Sequence, residues 1–550
     1  MPTALHYTST KPPTGREREV FGLQVAISDL LKAWFRHGST EKFPILIGNE
    51  QELQEINTLA AEANLDPARL SILDRRFPDQ NLPQFSTIFR AEPDTRNLLW
   101  QRQLTGNYAF CGLAHAISGT EAGDVLQEYI LAPSQAADTL ICPSHAVKSA
   151  IQSFWTTYAD YLAARFGARY QCPVQLPVIP LGIDLEKFAT RITPDKRAAQ
   201  RAQLNIAETD ITLLWVGRLS AAIKAHPLAM FQAAERAAIL TGAKIHLVMM
   251  GYFIPQEAEP QFQKLASDIC KKARVTFIAA NDPRFPDGIW AAGDIFLSLI
   301  DNMQESFGLT PIEAMAAGLP RVISDWDGYR DSITDGEDGF LIRTTQPPPG
   351  MGLDLAAQIL STRETYGGFL AKTALTVAVD TEQAAARIAQ LVTDKNLRAT
   401  MAAKARTRAQ STYDWRHIIP AYENIWADQA ARRTSSKTHF PSALPQLPDP
   451  YTMYATYPTS PLALSDKITL AATLDQIKLL WSHDINIYAN DTMIPPTDIP
   501  ALLGWLGEQG ETPISALFTK FSHLDPARLW RTIAWLQKLG ILANSSWLKG

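Results

Sequence analysis

Residues 304–320 read QESFGLTPIEAMAAGLP and set two carboxylates, Glu305 and Glu313, eight positions apart in a stretch broken by Gly308, Pro311, Gly318 and Pro320. Thr310 followed by Pro311 reads as a helix N-cap and first helical residue, which predicts a helix through IEAMAA that stops at Gly318. In that frame Glu313 falls where a capping box wants a carboxylate, and two readings stand side by side: it satisfies the backbone N–H of Thr310, or it binds a ligand. Glu305 has no such local duty. It follows the apolar run DIFLSLI and a polar DNMQ, in a loop that approaches a helix start. The backbone N–H groups of Ser306, Phe307, Gly308, Leu309 and Thr310, with the partial positive charge of the helix end, suit a phosphate there. A carboxylate is the wrong group for an anion and the right one for hydroxyls. A ligand with phosphates at its middle and hydroxyl-rich groups at both ends would use every part of the segment.

Such a loop needs strands to place it. Over roughly the first 430 residues short apolar runs alternate with longer amphipathic ones, the pattern of βαβ units around parallel sheets. Strands are expected at ALHYT, FPILIG, YAFCGLAHA, DTLICPS and LPVIPLG, then at ITLLWVG, KIHLVMMG, RVTFIAA, DIFLSLI, PRVISD and GFLIR. Two successive runs separated by the charged stretch after LGID predict two doubly wound, Rossmann-like domains, 1–188 and 189–430, facing a cleft at the carboxyl ends of their strands. A polar, proline-rich stretch follows and reads as linker and extension over 431–495. The last segment, 496–550, shows three short helical patterns and an apolar ILA, the outline of a helix-turn-helix or winged-helix-like module. Thr512 and Asp525 read there as N-caps before proline.

Composition removes several function classes. The 550 residues carry a net charge of −5 with 19% charged residues, and from Pro441 onward seven Lys or Arg face nine Asp or Glu. Phosphate-backbone binding calls for a basic face, so the tail reads as a protein-contact or dimerisation module and nucleic acid is disfavoured. Cys111, Cys142, Cys172 and Cys270 form no CxxC pair, which argues against zinc and fits a reducing compartment. No signal peptide or membrane span is legible, so a cytoplasmic protein is expected. KSAIQSFWTTYADYLAARFGARY reads either as a core-facing helix or as an amphipathic one with basic ends, which leaves peripheral contact with the inner membrane face open.

The segment ESFGLTPIEAMAAGLP resembles the E-x7-E element of the retaining glycosyltransferases of family 4, which have the two-domain GT-B fold. The likeness extends through GDIFLSLIDNMQ before it and RVISDWDGYRDSITDGEDGFLI after it, and is strongest from Ile211 to Ile342; the tail lies outside it. The resemblance implies roles for other positions. In ITLLWVGRLSAAIKAHP, Arg218 and Lys224 would grip the donor diphosphate, although the spacing between them is one residue longer than the commoner family form. In PPTGREREVF, Gly15 would let the backbone approach donor or acceptor, one glycine standing where the family usually has a pair. In GLAHAISG, His115 would contact the donor sugar near the reacting carbon. PSHAVKSA and VIPLGID match family elements that act as scaffold, and YDWRHIIPAYENIW matches the last helix, which crosses back to the first domain.

The expected activity is therefore transfer of a hexose-type sugar from a nucleotide diphosphate sugar to a hydroxyl with retention. Glu305 would sit at the sugar, Glu313 at the ribose, and Arg218 and Lys224 at the diphosphate, with no obligatory metal or other cofactor. The acceptor could be a glycan, a lipid-linked species or a protein. Sugar-nucleotide epimerases and glycoside phosphorylases share the architecture, and a noncatalytic sugar-nucleotide-binding protein is the third alternative.

Overall fold

The computed structural model describes residues 2–9, 22–435, 444–445 and 447–545. Their contacts divide into two compact units, one holding two large sheets and the other the tail. The first sheet comprises β1 (Thr3–His6), β2 (Phe43–Ile47), β3 (Leu70–Asp74), β4 (Thr87–Phe89), β5 (Ala109–Leu113) and β6 (Thr139–Ile141), all parallel, in the order β3-β2-β1-β4-β5-β6. The second comprises β7 (Ile211–Val216), β8 (Ile245–Gly251), β9 (Arg274–Ala279), β10 (Ile295–Ser298), β11 (Arg321–Ser324) and β12 (Gly339–Ile342), in the order β12-β11-β10-β7-β8-β9.

The central strands are runs such as FPILI and ITLLW, buried on both faces, as sheets covered by helices require. Each such side chain contributes about 1.5–3 kcal/mol on burial. In both sheets the winding direction reverses between the first strand and the fourth, β1/β4 and β7/β10. That switch point opens a crevice at the strand ends, where open α/β sheets take their ligands. Two expectations shift in the first half: β3 and β4 are additional strands, and LPVIPLG contributes only isolated bridges, including Cys142 with Val178.

Helices tie the halves together. The helix Trp415–Ser435 returns to the first sheet, where Trp426 packs on Trp34 and Phe89 at ring separations of 5.5 and 5.2 Å, and Gln429 Nε2 donates to the Phe110 carbonyl at 2.8 Å. The helix His145–Phe166 buries Val147, Ile151, Trp155 and Ala159 in one stripe of four-residue spacing, the core-facing reading of that segment. Among the described residues no helix is long and apolar enough to cross a membrane. Beyond β12, a two-residue antiparallel pair, β13 (Thr344–Thr345) with β14 (Ala378–Val379), brackets an excursion that carries the helices Leu353–Leu360 and Tyr366–Ala374.

The tail packs the helices Ile499–Gln509, Ile514–Lys520 and Pro526–Lys538 around one apolar core with a small antiparallel sheet, β16 (Thr512–Pro513), β15 (Lys467–Leu470) and β17 (Leu542–Asn544), β15 lying in the middle. Two readings are corrected here. The stretch 431–495 holds β15 and the helix Leu474–Trp481, whose Ile468 and Ile477 belong to the tail core, so the folded tail begins well before 496. Asp525 caps its helix by accepting from Arg528 N, whereas Thr512 is a strand residue paired with Ile468, and its hydroxyl donates to the Gly510 carbonyl.

Candidate functional site

The crevice between β7 and β10 gathers most of the residues singled out by sequence. Lys224, in the loop past β7, forms an ion pair with Glu305, in the loop past β10, and both are largely shielded from solvent. Burial alone would lower the Lys224 pKa; Glu305 outweighs it and holds the ammonium above its ordinary value. The Lys224 loop is stitched to the segment before Glu305. Asn302 Nδ2 donates to the Ala222 carbonyl at 2.7 Å, Gln304 Nε2 to the Ile223 carbonyl, and His226 N to Asp301 Oδ1 at 3.2 Å. Burial pushes the Asp301 carboxyl up to about 7, opposed by the His226 amide. Arg218 stands on the same loop, half-buried and near enough to Lys224 to disfavour a second positive charge; among the described residues it makes no ion pair or side-chain hydrogen bond.

The helix after Glu305 starts earlier than its sequence suggests. It runs Leu309–Ala316 with Gly308 at the cap position, so Thr310 and Pro311 lie inside its first turn. Glu313 is then beyond reach of a capping-box partner. The reason is Gly308: its φ of +89° is left-handed, and a Cβ there would meet the Tyr329 ring at 2.4 Å. Only glycine lets the chain turn so sharply against that tyrosine, whose hydroxyl is fixed by Ser298 Oγ at 3.0 Å. The helix thus starts directly after the Ser306–Phe307 backbone, and its first free N–H groups belong to the loop past β10. Glu313 sits half-buried with no ion pair among the described residues; burial pushes it up to about 7, with Arg191 opposing and Asp29 reinforcing. A carboxyl held so accepts or donates a hydrogen bond to hydroxyls.

The other half meets this loop directly. Ser144, which caps the helix His145–Phe166, donates from Oγ to the Ser306 carbonyl at 2.7 Å. His145 N donates to Asp331 Oδ2 at 2.6 Å. His115 lies past β5, where its Nε2 bonds the Ala91 carbonyl at 2.8 Å; a carbonyl only accepts, so this nitrogen carries the proton and Nδ1 is the free acceptor. Burial lowers its pKa to about 4, so the ring is neutral at pH 7. Among the described residues His115 makes no hydrogen bond or ion pair with Glu305, and Gly15 lies outside the described residues. Ser144, Tyr329 and Asp331 fall in stretches, PSHAVKSA and RVISDWDGYRDSITDGEDGFLI, whose family likeness was legible, but no local signal marked their contacts at the site.

Two doubly wound halves joined by a returning helix, with cations and a carboxylate at the second switch point, constitute the GT-B architecture. Within it, residues 196–348 match the family of glycosyl transferases group 1. The chain is similar to D-inositol 3-phosphate glycosyltransferase of Geodermatophilus obscurus, 30% identical over 34% of this chain and 41% of that one, and to its namesake in Nocardia farcinica, 32% identical over 31% and 36%. It thus spans less than half the length of these curated relatives. Among solved structures, Alr3699/HepE of Anabaena in complex with UDP and glucose superposes with a TM-score of 0.50 at 16% identity, covering 78% of this chain and all of the other, a likeness of fold.

Proposed function

We propose that this protein is a retaining glycosyltransferase that moves a hexose-type sugar from a nucleotide diphosphate sugar to a hydroxyl. The observation that supports it most is the meeting of Lys224, Arg218 and Glu305 with a glycine-started helix at one switch point, inside the segment that matches glycosyl transferases group 1. Arg218 and Lys224 would offset the charge that grows on the departing diphosphate. Glu305 would accept from sugar hydroxyls, and Glu313 would meet the ribose. In a front-face substitution the anomeric carbon–phosphate oxygen bond breaks as the acceptor oxygen bonds the same face, and the acceptor proton passes to the leaving phosphate. No side-chain nucleophile and no metal enter these steps. The contact of Ser144 with Ser306 supports a closed arrangement of the halves, in which water is kept from the donor.

Thermal shift against a panel of nucleotide sugars identifies the donor, because a ligand of the folded state raises its stability by mass action. Product analysis with donor alone then separates the classes: an epimerase converts the nucleotide sugar without acceptor, whereas a transferase needs one to release nucleoside diphosphate at speed. Tight donor binding with no turnover on any acceptor would instead indicate a binding protein. We further propose that the tail makes protein contacts or dimerises the chain, and that the enzyme works in the cytoplasm or at the inner membrane face.

A further inference from the structure

The turn past β11 carries a residue that the transferase reading leaves unused. Asp327 has φ +47°, the left-handed region that a side chain enters only at a cost and that tends to persist where function requires it. Its neighbour Gly328 lies directly on the Glu305 loop: a Cβ there would meet Phe307 and Ser306 backbone atoms at 2.5 Å, and Gly328 N donates to the Glu305 carbonyl at 3.4 Å. Asp327 is thereby pinned beside Glu305. Every charged group around it is engaged elsewhere: Glu305 with Lys224, Arg330 with Asp325 at 2.7 Å, and Asp331 with His145 at 3.1 Å. Asp327 forms no ion pair among the described residues; only the Gly328 amide and the more distant Arg330 charge favour its ionised form, and a desolvated carboxyl without a cation is costly unless a ligand meets it.

We propose that Asp327 is a sugar-specificity residue, its carboxyl and that of Glu305 holding a single hydroxyl of the transferred sugar between them. This rests on the transferase reading above. A hydroxyl has one proton to give and lone pairs to accept with, so it can donate to one carboxylate while accepting from one carboxylic acid. The two groups differ in the way this needs. Lys224 pairs with Glu305, whereas burial, then the Glu305 charge, raise Asp327 well above the usual carboxylate range and so favour its protonated form. A donor lacking that hydroxyl leaves both groups unmet, and sites built to hydrogen-bond a hydroxyl reject such analogues strongly.

The test uses the full chain and calorimetric titration with UDP, GDP and ADP and with UDP-glucose, GDP-mannose and ADP-glucose. Asp327→Gly suits the left-handed backbone, and Asp327→Asn mimics the protonated acid. All three proteins should bind the preferred diphosphate alike. The extra affinity conferred by the sugar should survive in Asp327→Asn within about threefold and fall by about tenfold or more in Asp327→Gly. Equal sugar-dependent affinity in Asp327→Gly and wild type overturns the inference while leaving glycosyl transfer standing. Loss of diphosphate affinity in step with sugar affinity marks a structural role and overturns it too. Wild-type protein that binds none of the six probes counts against both readings.

Discussion

In the half built on β7–β12, the switch point presents Arg218 without an ion-pair partner among the described residues and Lys224 shared with Glu305. In the half built on β1–β6, with the same strand order, charge at the equivalent ends is paired within the half wherever the residues are described. Arg90, just past β4 and with a side chain 1% exposed, is held by Glu92 at 2.7 Å, by Asp94 and by His6 Nδ1 at 2.8 Å, and Glu92 also accepts from Thr8 Oγ1 at 2.8 Å. Burial and Arg90 push His6 down to about 3, so its ring accepts as a neutral group. One topology thus places charge at both crevices. Whether that charge is already satisfied decides if it can meet a ligand's phosphate or only brace the fold.

The difference can be broken most sharply on the side with the unpartnered cation. Arg218→Ala and Glu305→Ala should each lower sugar transfer by about a thousandfold, with unfolding midpoints within a few degrees of wild type; near-normal turnover in both would remove the catalytic assignment. The opposite profile is expected for Arg90→Ala. It should cost about 3 kcal/mol of stability in denaturant melts, because Glu92 and Asp94 lose their shared cation, while affinity for the donor is retained; a large loss of donor affinity with little loss of stability would erase the contrast.

A smaller effect follows from Glu313. Its folded pKa of about 7 exceeds the unfolded value of 4.5, so between those limits the folded state holds the extra proton and stability falls as pH rises. Wild type should lose up to about 3 kcal/mol over this window relative to Glu313→Gln, read from melts between pH 4 and pH 8. Parallel curves for the two proteins would show that Glu313 is not desolvated. Smallest is Ser144→Ala, which removes one hydrogen bond between the halves. About 1 kcal/mol, or a five- to tenfold rise in acceptor or donor KM, is expected, with kcat less affected; unchanged kinetics would mean that the contact does not assist closure.

The second half was readable from sequence almost strand for strand because β7, β8, β10, β11 and β12 are largely buried runs, and β9, although a half-exposed edge strand, is six residues long and mostly β-branched or aromatic. In the first half β4 is three residues long and β3 is only partly buried at a sheet edge, so neither stands out from its surroundings. Lys224 and Glu305 were legible as residues past strand ends. Their ion pair was not, and neither was the bond from Ser144 to a carbonyl 162 residues away, because no local periodicity encodes such a meeting. The start of the Leu309–Ala316 helix was misplaced for a related reason: Thr-Pro is a strong local signal, and the tyrosine ring that makes Gly308 the turning point comes from another segment.

The small clasp of β13 with β14 has a wider consequence. Thr345 stands opposite Ala378, so the chain leaves the second half and re-enters it at one point, and everything between is a cassette hung on two rungs of ladder. Within it Tyr366 reaches across to Ser118 Oγ at 2.7 Å, on the loop that begins with His115. Length and sequence in this cassette can therefore drift, or be exchanged by design, with the strands that carry Arg218 and Glu305 left in register. In the transferase reading proposed above, a wall of the molecule beside the His115 loop could thus be remodelled for new acceptors without rebuilding the grip on the donor.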